Sequence, residues 1–592
     1  MSFEQRPIMM PGQLQESSSM SSTANNALIE RIRTGVIGQG RPIATPFGQR
    51  PLIYADYTAS GRALDLVEDT LREQVLPWYA NTHTETSFTG AQTTALREEA
   101  RAVIHAALGG GEDDKIIFCG SGATAAINRL IAILGLRLPR DLDRRYALSA
   151  QIPEAERPVV FVGPYEHHSN ELPWRESIAD VVPITLNETG GIDQTALGEA
   201  LARYRDRPLR IGSFSAASNV TGIRSDVPAI TRQLKAAGAL AFWDYAAAGP
   251  YVGIDLNAPD APIDAVFLSP HKFVGGPGTP GVLAVKRQLL GNSVPAVVGG
   301  GTVSFVNPQT HRYLDDPERR EEGGTPAIIE AIRAGLVFRL QQAVGTDTIE
   351  AIEQARVRRV LDTLEAEPDI EILGGTGAER LAIFSLRFRH GASELHYGFV
   401  VALLNDLFGI QARGGCSCAG PYGHTLLGLD EDRSAALEAQ VNAGLGALRP
   451  GWVRLNVNYF IDDAEVAYLL DALRLVARHG WRLLPSYRLD ARAGLWKHRD
   501  GTPPLPASLA AVDFLAAPET PARAPTVNYG ALLEEAERIL EGGASMAHCR
   551  ATSAEATLPP AADADRWFTL AAEVVAALEE EASDTAAAAG AA

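Results

Sequence analysis

Between residues 50 and 290, short runs that are apolar at nearly every position alternate with longer stretches whose apolar residues recur every three or four positions. The short runs Leu52 to Tyr54, Lys115 to Cys119, Pro158 to Gly163, Leu209 to Ser215, Leu240 to Trp243, Ala265 to Leu268 and Gly281 to Val285 predict strands. The stretches Ala63 to Tyr79, Thr93 to Leu108 and Ala123 to Leu134 predict helices. Strands without a polar face must be covered on both sides, which is the α/β arrangement with a mainly parallel sheet. Ala327 to Ala366 then reads as mostly helical. Strands Ile370 to Leu373, Leu381 to Phe388 and Trp452 to Asn456, interleaved with helices Leu395 to Phe408 and Asp462 to His479, predict a second, smaller α/β domain. Gly and Pro cluster around Gly501 to Pro506, as in a linker. Beyond it the chain is rich in Ala and Glu, with helical stretches at Tyr529 to Glu541 and Ala564 to Ser583.

At 592 residues the chain is too long for one core. The division read from the pattern is a polar, Ser-rich, disordered segment 1–26, a large domain 27–325, a small domain 326–485 and an extension 486–592. A formal charge of −19 argues against a nucleic-acid backbone or an anionic membrane as partner. No run approaches the ~18 apolar residues that span a bilayer. The N-terminus has no basic stretch followed by an apolar core, so no secretory signal is expected. Four cysteines are too few for a disulfide framework in this length, which points to a reducing cytoplasm. No internal repeat and no metal-ligand spacing is found, so no metal is expected.

Six places carry residues able to do chemistry. Ser269-Pro270-His271-Lys272, leading into a Gly-rich loop, follows the end of a buried strand, where ligands of open α/β sheets gather. A lysine there is desolvated and becomes a usable amine nucleophile. Asp244 ends another strand, where a buried carboxylate needs a partner or caps a helix. Gly120-Ser121-Gly122-Ala123-Thr124 is a strand-to-helix turn whose N–H groups suit a phosphate, although a plain tight turn has the same sequence. Glu166-His167-His168-Ser169-Asn170 offers an imidazole to stack on a planar group or to move a proton. Arg413-Gly414-Gly415-Cys416-Ser417-Cys418-Ala419-Gly420-Pro421 predicts a mobile loop with two thiols, able to serve as nucleophile or redox pair. Arg454 is a charge in an apolar strand, suited to a substrate carboxylate or to an internal salt bridge.

In this order these stretches resemble the class V aminotransferase superfamily of fold-type I pyridoxal 5'-phosphate (PLP) enzymes, and within it the cysteine desulfurases and selenocysteine lyases of the SUF type. The likeness runs from about Leu52 to Leu475. It implies a large domain around a mainly parallel seven-stranded sheet, a smaller α/β domain against which part of the N-terminal arm packs, and a homodimer with active sites at the subunit boundary. Lys272 corresponds to the Schiff-base lysine, Asp244 to the partner of the pyridine nitrogen and His167 to the ring-stacking imidazole. Ala123, Thr124, Ser269 and His271 resemble the phosphate cup, and Thr325 the residue lent to the neighbouring subunit's phosphate. Asn219 matches an asparagine beside cofactor and substrate. Arg454 matches the arginine for the substrate carboxylate, and Arg413 the one before the catalytic loop. Cys418 falls where desulfurases keep the cysteine that takes sulfur as a persulfide.

The likeness has departures. Ala247 stands where desulfurases commonly keep a Gln bonded to the cofactor's phenolic oxygen, Cys416 replaces a usual His, and roughly 110 residues after His479 have no counterpart. The resemblance thus implies an amino-acid substrate, with sulfur passing to Cys418 and alanine released, and a possible protein acceptor for the sulfur. Transamination, epimerisation or C–S lysis of another amino acid is the alternative within the superfamily. A PLP-fold protein that binds without catalysis is the alternative outside it.

Overall fold

The computed structural model describes residues 22–82, 84–516, 527–553 and 558–579. Seven strands form the large sheet: β1 (Asp114–Cys119), β2 (Val159–Val162), β3 (Asp180–Pro183), β4 (Arg210–Ser215), β5 (Leu240–Asp244), β6 (Ala265–Leu268) and β7 (Gly281–Lys286), in the order β1-β7-β6-β5-β4-β2-β3. From β3 to β6 every pairing is parallel, and β7 alone runs against both its neighbours. Every residue of β2 and β6 is buried, as a sheet covered on both faces requires. The expected α/β fold with a mainly parallel seven-stranded sheet is therefore the fold of this chain.

The edge strand β3 is absent from the sequence reading. It is half-buried and ends in Pro183, a residue tolerated at a sheet edge because nothing there needs its N–H. The helix expected over 63–79 is also broken. It is α-helical over Asp65–Thr70, widens to a π-turn over Leu71–Val75 and tightens to a 3₁₀ turn over Leu76–Trp78, where Pro77 supplies no N–H donor. The long helical stretch after 327 is two helices, Ile328–Val344 and Thr346–Leu364, divided at Gly345 with a φ of +85°. The first packs closely on helix Phe88–Ala107, where a Cβ on Gly335 would lie 2.5 Å from the Ala100 Cβ.

The smaller sheet contains Ile370–Ile372, Ile383–His390, Ser393–Leu395, Arg413–Gly415 and Trp452–Asn456, all antiparallel. Helices Tyr397–Phe408 and Asp463–His479 accompany it. The N-terminal arm joins this half of the molecule: Ile53–Tyr54 pairs in parallel with Ile410–Gln411. Residues 1–21 of the segment expected to be disordered lie outside the described residues, and residues 22–26 open helix Ser22–Gly35.

The C-terminal extension is sewn onto the small domain. Hairpin Tyr487–Asp490 and Leu495–His498 sits against helix Tyr397–Phe408, and helix Tyr529–Gly542 packs on Asp463–His479. Trp567 Nε1 donates to the Leu448 carbonyl at 3.2 Å, and its ring stacks on His396 at 5.2 Å between centroids. Of the helix expected over 564–583, residues 571–579 are helical and 564–570 are not, while 580–592 lie outside the described residues. Among the described residues no helix is long and apolar enough to cross a membrane.

Candidate active site

The strand ends of the large sheet and the Arg413–Gly420 stretch of the small domain enclose one cavity of about 720 Å³. Lys272, Asp244, His167 and Asn219 line it, as do Ala123, Thr124, Ser269 and His271. Arg413, Cys418 and Arg454 face it from the small domain. Residues scattered over more than 300 positions thus converge, those of the large sheet from the ends of its strands or the turns that follow them.

Lys272 closes a single 3₁₀ turn, Pro270–Lys272, directly after β6. The turn is held against the N-terminal arm, where Gly61 N–H donates to the His271 carbonyl at 2.8 Å. The arm comes so near that a Cβ on Gly61 would lie 1.9 Å from the Phe273 carbonyl oxygen. Burial is the main cause that brings the Lys272 amine down from 10.5 to about 8, against the opposing pull of Asp244. At pH 7 the neutral fraction therefore rises from about 1 in 3000 to about 1 in 10. Competitive acetylation of cofactor-free protein with acetic anhydride, read by mass spectrometry, is expected to show Lys272 reactivity rising through a midpoint near pH 8. A midpoint near 10.5, the ordinary lysine value, would contradict this electrostatic account.

Asp244 ends β5 with its carboxylate buried. Oδ1 accepts the Ala246 N–H at 2.8 Å, and no other hydrogen bond reaches this carboxylate among the described residues. Burial pushes its pKa above the usual carboxylate range, while Lys272 works in the opposite direction. The carboxylate thus has an oxygen available to a donor in the cavity. Ala247, at the position of the missing Gln, lines the same space and supplies no side-chain donor.

His167 is held at about 3 by burial first and by the nearby Lys272, so its imidazole is neutral. Its Nδ1 accepts the Ser169 N–H at 3.1 Å, which leaves the ring proton on Nε2. Beneath this turn lies Glu166, fully buried, whose carboxylate accepts from Ser215 N–H at 2.8 Å, Ser215 Oγ at 2.6 Å and Asn170 Nδ2 at 2.6 Å. Burial pushes Glu166 up to about 7.

Helix Gly122–Ile133 aims its N-terminus into the cavity. Gly122 has a φ of +56°, and a Cβ there would lie 2.8 Å from Ser269 Oγ, so a glycine lets the Ser269 hydroxyl close onto the start of this helix. Ser269 Oγ accepts the Ala123 N–H at 2.8 Å, and Thr124 Oγ1 lies 2.6 Å from Ser169 Oγ. Free helix N–H groups ringed by hydroxyls form an anion cradle.

Arg454, read from the sequence as a partner for a substrate carboxylate or for an internal salt bridge, has protein partners here. Its Nη2 is paired with Asp56 Oδ1 at 2.8 Å and its Nη1 donates to the Asn219 carbonyl at 3.1 Å, leaving Nε without a partner. A guanidinium only 3% exposed needs such a counter-charge. Arg413, by contrast, is exposed at the cavity. Thr325 lies outside this cavity: it is exposed, and its Oγ1 accepts from Asn81 Nδ2 at 3.4 Å. The loop expected to be mobile is tied down, with Asn219 Nδ2 donating to the Ser417 carbonyl at 2.9 Å. The two thiols differ in setting, since Cys418 is exposed and lines the cavity whereas Cys416 is half-buried against the apolar core.

Sequence reasoning picked out the Glu166 to Asn170 stretch for its imidazoles but gave Glu166 and Ser169 no part of their own, and it missed Asp56. The i,i+4 pair Glu166 and Asn170 around the two histidines was the one local signal available. Asp56 had none, because its partner lies 398 positions away. Among the described residues no cluster of His, Cys, Asp and Glu could hold a metal.

The family Aminotransferase class-V matches residues 53–434, more than half the chain. The cysteine desulfurase of Dickeya dadantii is 30% identical over 378 residues, covering 63% of this chain and 84% of the relative. A probable cysteine desulfurase of Streptomyces coelicolor is 29% identical over 374 residues, or 62% and 84% of the two chains. Among solved structures, the cysteine desulfurase from Thermococcus onnurineus superposes with a TM-score of 0.59 at 22% identity, covering 72% of this chain and 95% of its own. The cysteine desulfurase from Escherichia coli gives 0.56 at 23% identity, with coverages of 71% and 93%. These superpositions show a shared fold.

Proposed function

This chain belongs to the class V aminotransferase family, and on that premise we propose that it is a PLP-dependent cysteine desulfurase that converts L-cysteine to alanine and leaves the sulfur on Cys418. The observation that carries this reading is the convergence of Lys272, Asp244 and Cys418 on one cavity. The donor set fits the cofactor: a low-pKa lysine, a buried carboxylate with an oxygen to spare, and a helix N-terminus ringed by Ser269, Thr124 and His271. PLP, when bound, supplies the electron sink for charge developing at the substrate α-carbon.

The chain's own residues do the rest. Lys272 would anchor the cofactor, and its amine would take the substrate α-proton as general base. Asp244 would hold a proton donor of the ring by charge and hydrogen bond. His167, neutral, offers a flat face. Arg413 and Arg454 hold the substrate carboxylate, with Asp56 and the Asn219 carbonyl fixing the orientation of Arg454. Cys418 Sγ attacks the substrate sulfur: an S–S bond forms as the Cβ–S bond breaks, giving alanine and a Cys418 persulfide, with no outside oxidant. The test is incubation with L-cysteine and excess thiol, which is expected to give alanine and sulfide in equal amounts. Pyruvate, or a keto acid, in place of alanine would sink it.

A second reading, another reaction at the α- or β-carbon of an amino acid, draws support from Ala247, which leaves the ring oxygen one donor short of the desulfurase pattern. We also infer a homodimer, because Thr325 lies outside its own cavity and exposed Trp78, Phe88, Val298 and Phe305 offer apolar surface for a second copy. Four free thiols suit a reducing cytoplasm.

A further inference from the structure

His168 joins the large domain to the turn that carries Cys418. Its backbone N–H donates to the Cys418 carbonyl at 2.8 Å, and its ring Nε2 accepts the Gly420 N–H at 2.9 Å. Because Nε2 is the acceptor, the neutral ring carries its proton on Nδ1. The turn so gripped is unusual: Ser417 and Cys418 have φ values of +54° and +57° in succession. Residues with a Cβ hold that left-handed conformation only where their surroundings impose it. Cys416 O accepts the Ala419 N–H at 3.2 Å, closing the turn from within. His168 does not line the cavity, in contrast to His167 beside it.

We propose that His168 is a positioning residue, a two-point clamp that holds the left-handed Ser417-Cys418 turn so that the Cys418 thiol faces the substrate sulfur. The inference rests on the reading of Cys418 as sulfur acceptor. Attack on sulfur needs the nucleophile within contact distance and in line with the breaking bond, and a turn free to relax to negative φ would carry Sγ off that line.

The test compares holoenzyme variants His168→Leu, which leaves the Gly420 N–H without an acceptor, and His168→Gln, whose amide oxygen can reach it. For His168→Leu, kcat for alanine formation is expected to fall about 10- to 100-fold, the cost of a misplaced reacting group. KM for L-cysteine and the visible band of the bound cofactor are expected to stay within about twofold. Backbone hydrogen exchange in peptide 414–424 is expected to speed up by about fivefold or more. His168→Gln is expected to recover to within about threefold in kcat with normal exchange. A His168→Leu protein that fails to fold is replaced by His168→Asn, too short to reach Gly420, with the same predicted loss. The clamp is overturned by wild-type kcat or unchanged exchange in the Leu variant, by a Gln variant that falls as far as the Leu variant, or by loss of the cofactor band. Failure of the underlying reading looks different: Cys418→Ala would then release sulfide at the wild-type rate.

Discussion

Lys272→Ala is expected to lower kcat for L-cysteine by ~10⁴-fold, the upper end of what one positioned proton-transfer group contributes. Two functions disappear with one amine. The site loses the nucleophile that anchors the cofactor, and it loses the base that takes the α-proton. No neighbour can substitute. His271 is held at about 4 and His167 at about 3, which makes both weak bases, and the free oxygen of Asp244 is the one assigned to the cofactor ring. In the native enzyme borohydride is expected to fix the cofactor covalently to the peptide containing Ser269 to Gly278, and in Lys272→Ala it is not. Noncovalent binding of the cofactor should survive, because the helix N-terminus and its hydroxyls are untouched. Rate assays with mass spectrometry of the reduced protein check both halves. A variant that still turns over within about tenfold of wild type would remove Lys272 from the mechanism.

The second large effect concerns the thiols. Cys418→Ala is expected to lose more than ~10³-fold in alanine and sulfide formation, as befits removal of a nucleophile. Exchange of the substrate α-proton with D₂O should continue, because that step belongs to Lys272. Cys416→Ala is expected to cost less than about tenfold. The two cysteines are only two residues apart, yet the φ of +57° at Cys418 turns it out to the cavity while Cys416 packs against the core. NMR of the exchanged α-proton and sulfide assay separate the outcomes. If Cys416→Ala is the inactive variant and Cys418→Ala is not, the roles are exchanged.

The parts of this site that were legible in the sequence are those written locally. Lys272, Asp244 and the Gly120 to Thr124 turn each follow an apolar strand, so a run of buried residues both announces the strand and marks the end where a ligand gathers. The same logic found six of the seven strands of the large sheet and missed β3, whose half-exposed residues and terminal Pro183 carry no strand pattern. What was illegible is pairwise and distant. Asp56 reaches Arg454 across 398 positions, and Asn219 reaches Ser417 across 198. The glycines around Cys418 suggested mobility because they permit it. The structure instead uses long-range hydrogen bonds to hold the turn, and those partners leave no trace in local composition.

Arg454 shows how the two levels combine. A charge in an apolar strand demanded a partner, and the sequence left open whether that was a substrate or the protein. The fold supplies partners from the protein, with Asp56 and the Asn219 carbonyl occupying one N–H on each terminal nitrogen and Nε left unpaired. Such an arginine is oriented before substrate arrives, so little order has to be imposed on binding.

In the proposed reaction sulfur passes from L-cysteine to Cys418. This transfer is tested most directly by mixing the holoenzyme with one equivalent of L-cysteine without reductant, quenching with an alkylating agent and mapping the peptides by mass spectrometry. A mass gain of one sulfur atom on Cys418 is expected, in step with one alanine released. Alanine formed with no added sulfur on Cys418, or sulfur appearing first on Cys119, Cys416 or Cys549, would contradict it.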